Sequence, residues 1–203
     1  MNIAARIFAV AGLALAVTVT GAWLSGVSAA RLEAPKIGAA FPDFKLPDTT
    51  GKAHALGDYK GKILVLNFSS QECPFSRGAD PSINELATAF REKGVVFLGV
   101  DSNKDLDAAA IQKHIEEAKI PYPILKDEGN KLADAAGARV TPEIYVIDQD
   151  GKLAYHGAPD DRAGPTSTPT AFYLKDALDA LTAGKAVEKP TVKAWGCGIK
   201  RAG

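Results

Sequence analysis

The chain has 203 residues, which is enough for a single domain with a full hydrophobic core. Apolar residues make up 46% and charged residues 24%, a composition typical of globular proteins and not of disordered ones. The 24 basic and 24 acidic residues cancel, so the charge indicates no nucleic-acid-binding surface and we predict no nucleic-acid partner.

The first thirty residues differ from the rest of the chain. One early cation, Arg6, precedes an apolar stretch from Ile7 to about Val27, and small residues follow at 28–30. This order is typical of a secretory signal peptide with an A-x-A-like cleavage site. An uncleaved N-terminal anchor is the alternative, because about 20 apolar residues also span a bilayer. Both interpretations predict an exported domain, periplasmic or otherwise extracytoplasmic, that contacts the membrane only through such an anchor.

Residues 31–190 are predicted to form one domain, followed by a tail at 191–203. Residues 31–60 are predicted to be an irregular lead-in with a turn at Thr50-Gly51. The predicted strands are 62–68, 94–101, 122–125, 142–148 and 152–157, and the predicted helices are 107–119, 130–137 and 171–184. Strands that alternate with helices and end in a hairpin predict an α/β fold with a mixed central sheet and helices on both faces.

The segment after the first predicted strand is expected to contain a break. Asp80-Pro81 fits an N-cap followed by proline at the first helical position. Apolar residues recur at helical spacing from Ile83 to Phe90. We therefore expect a short turn at 73–76, a break before the proline, and then an amphipathic helix.

Cys73 lies between a predicted strand and a helix, in the sequence SSQECPFSRG. Unpaired N–H groups and the helix dipole at such a position stabilise a thiolate and lower the pKa of a cysteine. Arg77, one turn along, also favours the anion, whereas the carboxylate of Glu72 opposes it. The pattern favours a nucleophilic cysteine, and a buried structural cysteine is the alternative.

These residues resemble a known fold. A strand ending at C-P-F-S, a V-T-P at 140–142, and the hairpin and helix that follow are similar to the thioredoxin fold. Residues 38–160 resemble redoxins of the alkyl hydroperoxide reductase and thiol-specific antioxidant superfamily. The stretches TPEIYVIDQDGKLAYHGAPDDR, YLKDALDALTAGK and GCGIK are closest to its peroxiredoxin-like thioredoxin-family branch. The resemblance implies that Cys73 is the nucleophile and that Thr141-Pro142 forms a cis-proline loop facing it.

The sequence departs from these families at the site itself. Ser76 stands where thioredoxins have their second cysteine, so a C-x-x-C dithiol cycle is excluded. Ser70 fits the hydroxyl position of the peroxiredoxin motif P-x-x-x-T/S-x-x-C, but Leu66 occupies its proline position. Pro142 stands where peroxiredoxins tend to have arginine. These departures argue against efficient peroxidase activity.

The second cysteine, Cys197, lies between two glycines near the C-terminus. Glycine flanks and a terminal position predict a mobile segment, so that this thiol could reach Cys73 and act as its resolving thiol. The alternative is a permanent disulfide that holds the tail down. Two cysteines in an oxidising compartment can pair and stay paired.

The remaining candidate residues are weaker. His54, His114 and His156 show no ligand spacing, and we predict no metal and no cofactor. A copper site at Cys73 and His156 would require a second nearby thiolate. Arg162 lies in a PDDR stretch that recurs near the active face of the resembling branch, which makes it a candidate anion or substrate contact.

Three functions remain open. The first is a thiol–disulfide oxidoreductase acting on exported thiol or disulfide proteins, or on small-molecule thiols. The second is an antioxidant thiol peroxidase, in which a hydroperoxide oxidises Cys73 to a sulfenic acid that Cys197 resolves. The third is a redox-inert binding module with a structural Cys73–Cys197 disulfide. The cis-proline motif and the missing arginine favour the first function, and both enzymes would need a thiol electron donor.

Overall fold

The nearly continuous apolar run ILVLNF forms the centre of the sheet and is buried on both faces, as such a run predicts. The computed structural model describes residues 34–105 and 107–201, which lie in one unit spanning Arg31–Gly203. In chain order the strands are β1 (Lys45–Pro47), β2 (Ala53–Ala55), β3 (Ile63–Phe68), β4 (Val95–Asp101), β5 (Ile124–Lys126), β6 (Val140–Thr141), β7 (Glu143–Ile147), β8 (Leu153–Gly157) and β9 (Cys197–Gly198). The α-helices are α1 (Pro74–Phe90), α2 (Ala108–Glu117), α3 (Lys131–Ala136) and α4 (Tyr173–Thr182).

Five strands form the central sheet, in the order β5-β4-β3-β7-β8. β4 runs parallel to β3 and β5, whereas β7 runs antiparallel to β3 and β8. The sheet is therefore mixed. The predicted hairpin of the last two central strands is present, with Gly151 at φ 80 in its turn.

The core has two layers because alternate side chains of β3 point to opposite faces of the sheet. Ile63 and Val65 pack with the apolar sides of α1, α2 and α4. Leu64 and Leu66 pack against α3 and against phenylalanines of the lead-in. The predicted mixed α/β sheet with helices on both faces is confirmed.

The predicted break before Pro81 is wrong, because α1 runs from Pro74 to Phe90 with Pro81 inside it. Pro74, which directly follows Cys73, takes the first helical position, where a missing N–H costs nothing. Asp80 is not an N-cap: its buried carboxylate pairs with Nε2 of His114 at 2.9 Å. Packing of the helix against the core offsets the hydrogen bond that the internal proline removes.

The lead-in and the tail contain structure that the sequence patterns did not indicate. β1 and β2 form a small antiparallel hairpin around the predicted turn, with Gly51 at φ 88. In the tail, β9 pairs antiparallel with β6, and the N–H of Val192 donates to the carbonyl of His156. A Cβ on Gly157 would lie 2.1 Å from the carbonyl oxygen of Val192, so this glycine permits the close approach. The described residues of the tail thus contact the domain, and the expected mobility of the tail stays a prediction.

The predicted leader, residues 1–30, lies outside the described residues. Within 34–105 and 107–201, no helix combines the length and apolar character needed to cross a membrane.

Candidate active site

Cys73 occupies the N-cap of α1, at the end of the turn that follows β3. Its N–H donates to the carbonyl of Ser70 at 3.1 Å, and the N–H of Ser69 donates to the carbonyl of Val100 at 2.9 Å. These bonds fix the turn against the end of β4. The cysteine is 3% exposed, so its sulfur faces the interior of the site and not bulk solvent.

The environment of Cys73 favours its thiolate. Burial raises the pKa of this thiol, but hydrogen bonds outweigh burial, and the pKa is lowered overall. The donors are Cys197, through both its thiol and its backbone, the side chain of Thr141 and the backbone N–H of Ser76. When protonated, the Cys73 thiol instead donates to the carbonyl oxygen of Thr141, with an Sγ···O distance of 3.0 Å. One hydrogen-bond acceptor thus stabilises the protonated thiol, whereas several hydrogen-bond donors stabilise the thiolate.

The groups that lower the pKa of Cys73 differ in part from those predicted. The start of α1 contributes through the N–H of Ser76, as expected for a helix N-terminus. Arg77, which was expected to contribute, is exposed on α1 and is not among the principal groups that shift this pKa. The strongest contribution that lowers it comes from Cys197, which the sequence placed on the tail.

The environment of Cys197 favours its protonated thiol. Burial and its hydrogen bond and charge interaction with Cys73 raise the pKa of Cys197 to about 11, although the backbone N–H of Phe75 opposes the shift. The thiol of Cys197 therefore donates to the sulfur of Cys73 at neutral pH. Cys197 is partly exposed, and both cysteines are free thiols in the structure.

Strand β9 holds Cys197 in this place. In the β6–β9 pair Cys197 lies opposite Thr141, whose carbonyl oxygen accepts from the thiol of Cys73. Gly196 has φ 135, and a Cβ there would lie 2.0 Å from the carbonyl oxygen of Thr141. Only glycine fits at this position, because both the backbone angle and the close approach exclude a side chain.

Side chains on both sides of β9 bind the tail to the domain. The indole N–H of Trp195 donates to the carbonyl of Asp160 at 2.8 Å, and its ring lies 5.7 Å from that of Phe75 on α1. On the other side, Nζ of Lys200 contacts the carboxylate of Glu72 at 2.5 Å. Cys197 is thus anchored on both sides.

The two serines of the predicted site support the turn. The hydroxyl of buried Ser76 accepts from the N–H of Ser70 at 3.3 Å. The hydroxyl of Ser70 accepts from the N–H of Glu72 at 3.2 Å. Both serines shape the loop that carries Cys73.

The peptide bond between Thr141 and Pro142 is cis, as the resemblance implies. The next residue, Glu143, is 4% exposed and was missed by the sequence analysis. Its carboxylate accepts from Nε2 of His156 at 2.6 Å and from the N–H groups of Arg139 and Val140 at 2.7 and 3.1 Å. Burial raises the pKa of Glu143, but these hydrogen bonds lower it overall. A single acidic residue in the buried run EIYVI was the signal that could have identified it.

Arg162 lies close to the tail but is enclosed by protein partners. Its side chain is 4% exposed, and its Nη2 pairs with Oδ2 of Asp160 at 2.6 Å. It also donates to the hydroxyl of Ser82 at 3.2 Å and to the carbonyl of Gly78. Its guanidinium thus links the loop after β8 to α1, and its role as an anion or substrate contact stays a prediction.

The three histidines are each engaged by a carboxylate. The pairs are His54–Asp48, His114–Asp80 and His156–Glu143, with N···O distances of 3.0, 2.9 and 2.6 Å. Among residues 34–105 and 107–201, no group of three or more histidine, cysteine or acidic side chains is arranged to hold a metal ion.

The chain is similar in sequence to known proteins. Residues 37–156 match the sequence model of the AhpC/TSA family. The thiol-disulfide oxidoreductase ResA of Bacillus anthracis is 32% identical over 121 residues, which cover 60% of this chain and 69% of ResA.

Solved structures with the same fold include two that differ in how much of the chain they cover. An uncharacterized conserved protein from Geobacillus kaustophilus has a TM-score of 0.77 and 31% identity, covering 82% of this chain and 93% of that one. The thioredoxin domain of a thiol-disulfide oxidoreductase from Bacteroides vulgatus has a TM-score of 0.56 and 25% identity, covering 61% and 89%. The expected thioredoxin-like fold is confirmed.

Proposed function

Since this chain belongs to the AhpC/TSA family, we propose that it is an exported thiol–disulfide oxidoreductase with Cys73 as nucleophile and Cys197 as resolving thiol. Its relatives named thiol-disulfide oxidoreductase support this class of reaction. The observation that carries the proposal is the placement of Cys197 opposite Thr141, whose carbonyl accepts from the thiol of Cys73. The pKa of Cys73 is lowered and that of Cys197 is raised by their interaction.

The first step uses the thiolate that the site stabilises. The sulfur of Cys73 attacks one sulfur of a substrate disulfide, RS–SR′, and forms a mixed disulfide with R while R′S⁻ leaves. The lowered pKa favours this step because it increases the fraction of Cys73 that is present as thiolate.

The second step follows from the loss of charge on Cys73. Part of the raised pKa of Cys197 comes from the negative charge of Cys73, and that charge disappears when Cys73 forms the mixed disulfide. The pKa of Cys197 then falls, its proton passes to solvent or to the departing thiolate, and its sulfur attacks Cys73. RS⁻ leaves, and a Cys73–Cys197 disulfide remains. Two electrons have passed to the substrate, and an external thiol donor restores both cysteines.

Export is the second part of the proposal. It is supported by the cationic start, apolar stretch and small residues at 1–30, which are typical of a secretory leader. The partners would then be exported disulfide-containing proteins or small-molecule thiols. Mass spectrometry of the mature protein tests this: an N-terminus at Ala30 or Arg31 is expected, and an intact leader in the cytosolic fraction would reject export.

The redox cycle is tested by mixing the reduced protein with glutathione disulfide, quenching with acid and mapping the cysteines by mass spectrometry. We expect a Cys73–Cys197 disulfide in wild type and a Cys73–glutathione mixed disulfide in Cys197→Ser. Absence of both products would refute the proposal. A parallel reaction with hydrogen peroxide distinguishes the peroxidase alternative, for which peroxide would oxidise Cys73 far faster than the disulfide does.

A further inference from the structure

The surface around Cys73 is occupied by the chain's own tail. The contacts of that tail indicate which peptide sequences would bind to this surface. We propose that this surface is a recognition site for an extended, cysteine-containing peptide segment with glycine directly before its cysteine, and that residues 195–200 fill it in cis. The inference rests on the proposed role of Cys73 as nucleophile, and it adds the chemistry of the segment that Cys73 would engage.

The backbone part of the site is the edge of β6. Thr141 pairs with Cys197 and Val140 with Gly198, and the N–H of Ile199 donates to the carbonyl of Arg139 at 3.0 Å. An extended strand of any sequence can form such bonds, with alternate side chains directed to opposite sides. The pairing therefore fixes the register that brings a cysteine onto Cys73, and it does not by itself select a sequence.

The site selects glycine at the peptide position directly before the cysteine, which Gly196 occupies in the tail. A Cβ at Gly196 would lie 2.0 Å from the carbonyl oxygen of Thr141, 2.7 Å from its carbonyl carbon and 3.2 Å from Cδ of Pro142. The nearest atoms belong to the backbone, so no rotation of a side chain relieves the collision. The residue also has φ 135, which side-chain-bearing residues rarely adopt. Gly198, after the cysteine, has no neighbour within 4 Å and imposes no such limit.

Three flanking contacts extend the pattern. Two residues before the cysteine, the ring of Trp195 lies tilted against that of Phe75, and its indole N–H donates to the carbonyl of Asp160. Two residues after it, Ile199 packs against the apolar cluster on the α3 side of the sheet. Three residues after it, Lys200 pairs with Glu72. The site therefore fits an aromatic residue, glycine, cysteine, any residue, an aliphatic residue and a cation, in that order.

The tail occupies this site and therefore competes with an external peptide for it. Cys73 is 3% exposed while the tail is in place, so an external segment must displace β9 before the two sulfurs can meet. A tethered segment has an effective concentration of about the millimolar range, which an external peptide must overcome. Displacing the tail should therefore increase the reaction with a matching peptide.

The test uses the full chain carrying Cys197→Ser and the peptide AWGCGIK, whose cysteine is activated as a mixed disulfide with 5-thio-2-nitrobenzoate. Cys73 attacks the peptide sulfur, a protein–peptide disulfide forms, and the coloured thiolate leaves. The matched control is AWACGIK, activated in the same way, because it differs only by the Cβ before the cysteine. We expect the glycine peptide to react about tenfold faster or more, at equal concentrations.

A second protein variant tests the competition. Gly196→Ala combined with Cys197→Ser should unseat the tail, and we expect it to react faster with AWGCGIK than Cys197→Ser alone. Activated N-acetylcysteine, which has no flanking residues, reports the accessibility of Cys73 in each variant. Equal rates for the two peptides after this correction would overturn the recognition site. If Cys73 reacted with none of the three probes, the proposed function itself would fail.

Discussion

Cys197 lies directly opposite Thr141 in the antiparallel pair of β6 and β9, so the tail delivers its thiol to Cys73 from the cis-proline side of the site. A C-x-x-C protein holds its second thiol on the same helix as the first. Here Ser76 occupies that helical position, and the second thiol arrives on a separate strand. The spacing of the two sulfurs therefore depends on how the tail is seated.

Gly196→Ala should slow formation of the Cys73–Cys197 disulfide, because the new Cβ would meet the carbonyl oxygen of Thr141 and lift β9 from β6. We expect the rate at which Cys197 resolves a preformed Cys73–glutathione mixed disulfide to fall about tenfold or more. Gly198→Ala is the matched control, since this glycine has no close neighbour and no positive φ in the left-handed region. Equal rates in the two variants would show that β9 is not what positions Cys197.

Cys197→Ala should raise the pKa of Cys73, because it removes the hydrogen-bond donor that most lowers that pKa. The rate of iodoacetamide alkylation at Cys73, followed against pH by mass spectrometry, reports this value, since only the thiolate reacts. In wild type we expect an inflection below the unperturbed value of about 8.5. Cys197→Ser keeps a hydroxyl donor and should lie between wild type and Cys197→Ala. An unchanged inflection in the alanine variant would contradict the assigned contact.

The sequence predicted the parts of this site that depend on local pattern. A buried strand followed by a cysteine and a proline placed Cys73 at a helix start, because strand burial and proline at the first helical position are local signals. It misjudged Pro81 because the same proline signal was overridden by packing of α1 against the sheet.

What the sequence could not predict depends on contacts between distant segments. The β6–β9 pair has only two residues on each side, which is too short for a periodic pattern. The close approach of Gly196 to Thr141 is likewise visible only once the tail is folded back. The Glu143–His156 pair joins neighbouring strands, and its two members gave no recognisable spacing along the chain.

Arg162→Leu should lower the free energy of unfolding, because it leaves the buried carboxyl group of Asp160 without its ion-pair partner. Removing one member of a buried ion pair typically costs about 3–5 kcal/mol. Urea denaturation followed by circular dichroism measures the change. Lys93→Leu is the control, since Lys93 and Asp179 are exposed and 4.0 Å apart, and such pairs contribute about 0–1 kcal/mol. Similar losses in both variants would contradict a structural role for the Arg162–Asp160 pair.

Asp101→Asn should change how stability depends on pH. Burial raises the pKa of Asp101 to about 6 in the folded protein, although hydrogen bonds from Asn103 oppose the shift. In the unfolded chain an aspartate has a pKa of about 3.9, so between these values the folded state binds more protons than the unfolded state. Stability from this group is therefore present below pH of about 4 and is lost as the pH rises toward 6.

The asparagine variant cannot lose a proton, so its stability relative to wild type should increase as the pH rises from about 4 to 6 and then level off.

Asp48→Asn should show the opposite pH dependence, because the pKa of Asp48 is lowered and not raised. Burial raises the pKa of Asp48, but hydrogen bonds from Thr50 and His54 lower it to about 2, so wild type gains stability from this group as the pH rises above 2. Urea midpoints measured at pH values across this range test both. A constant difference between Asp101→Asn and wild type would mean that Asp101 titrates alike in the folded and unfolded chain.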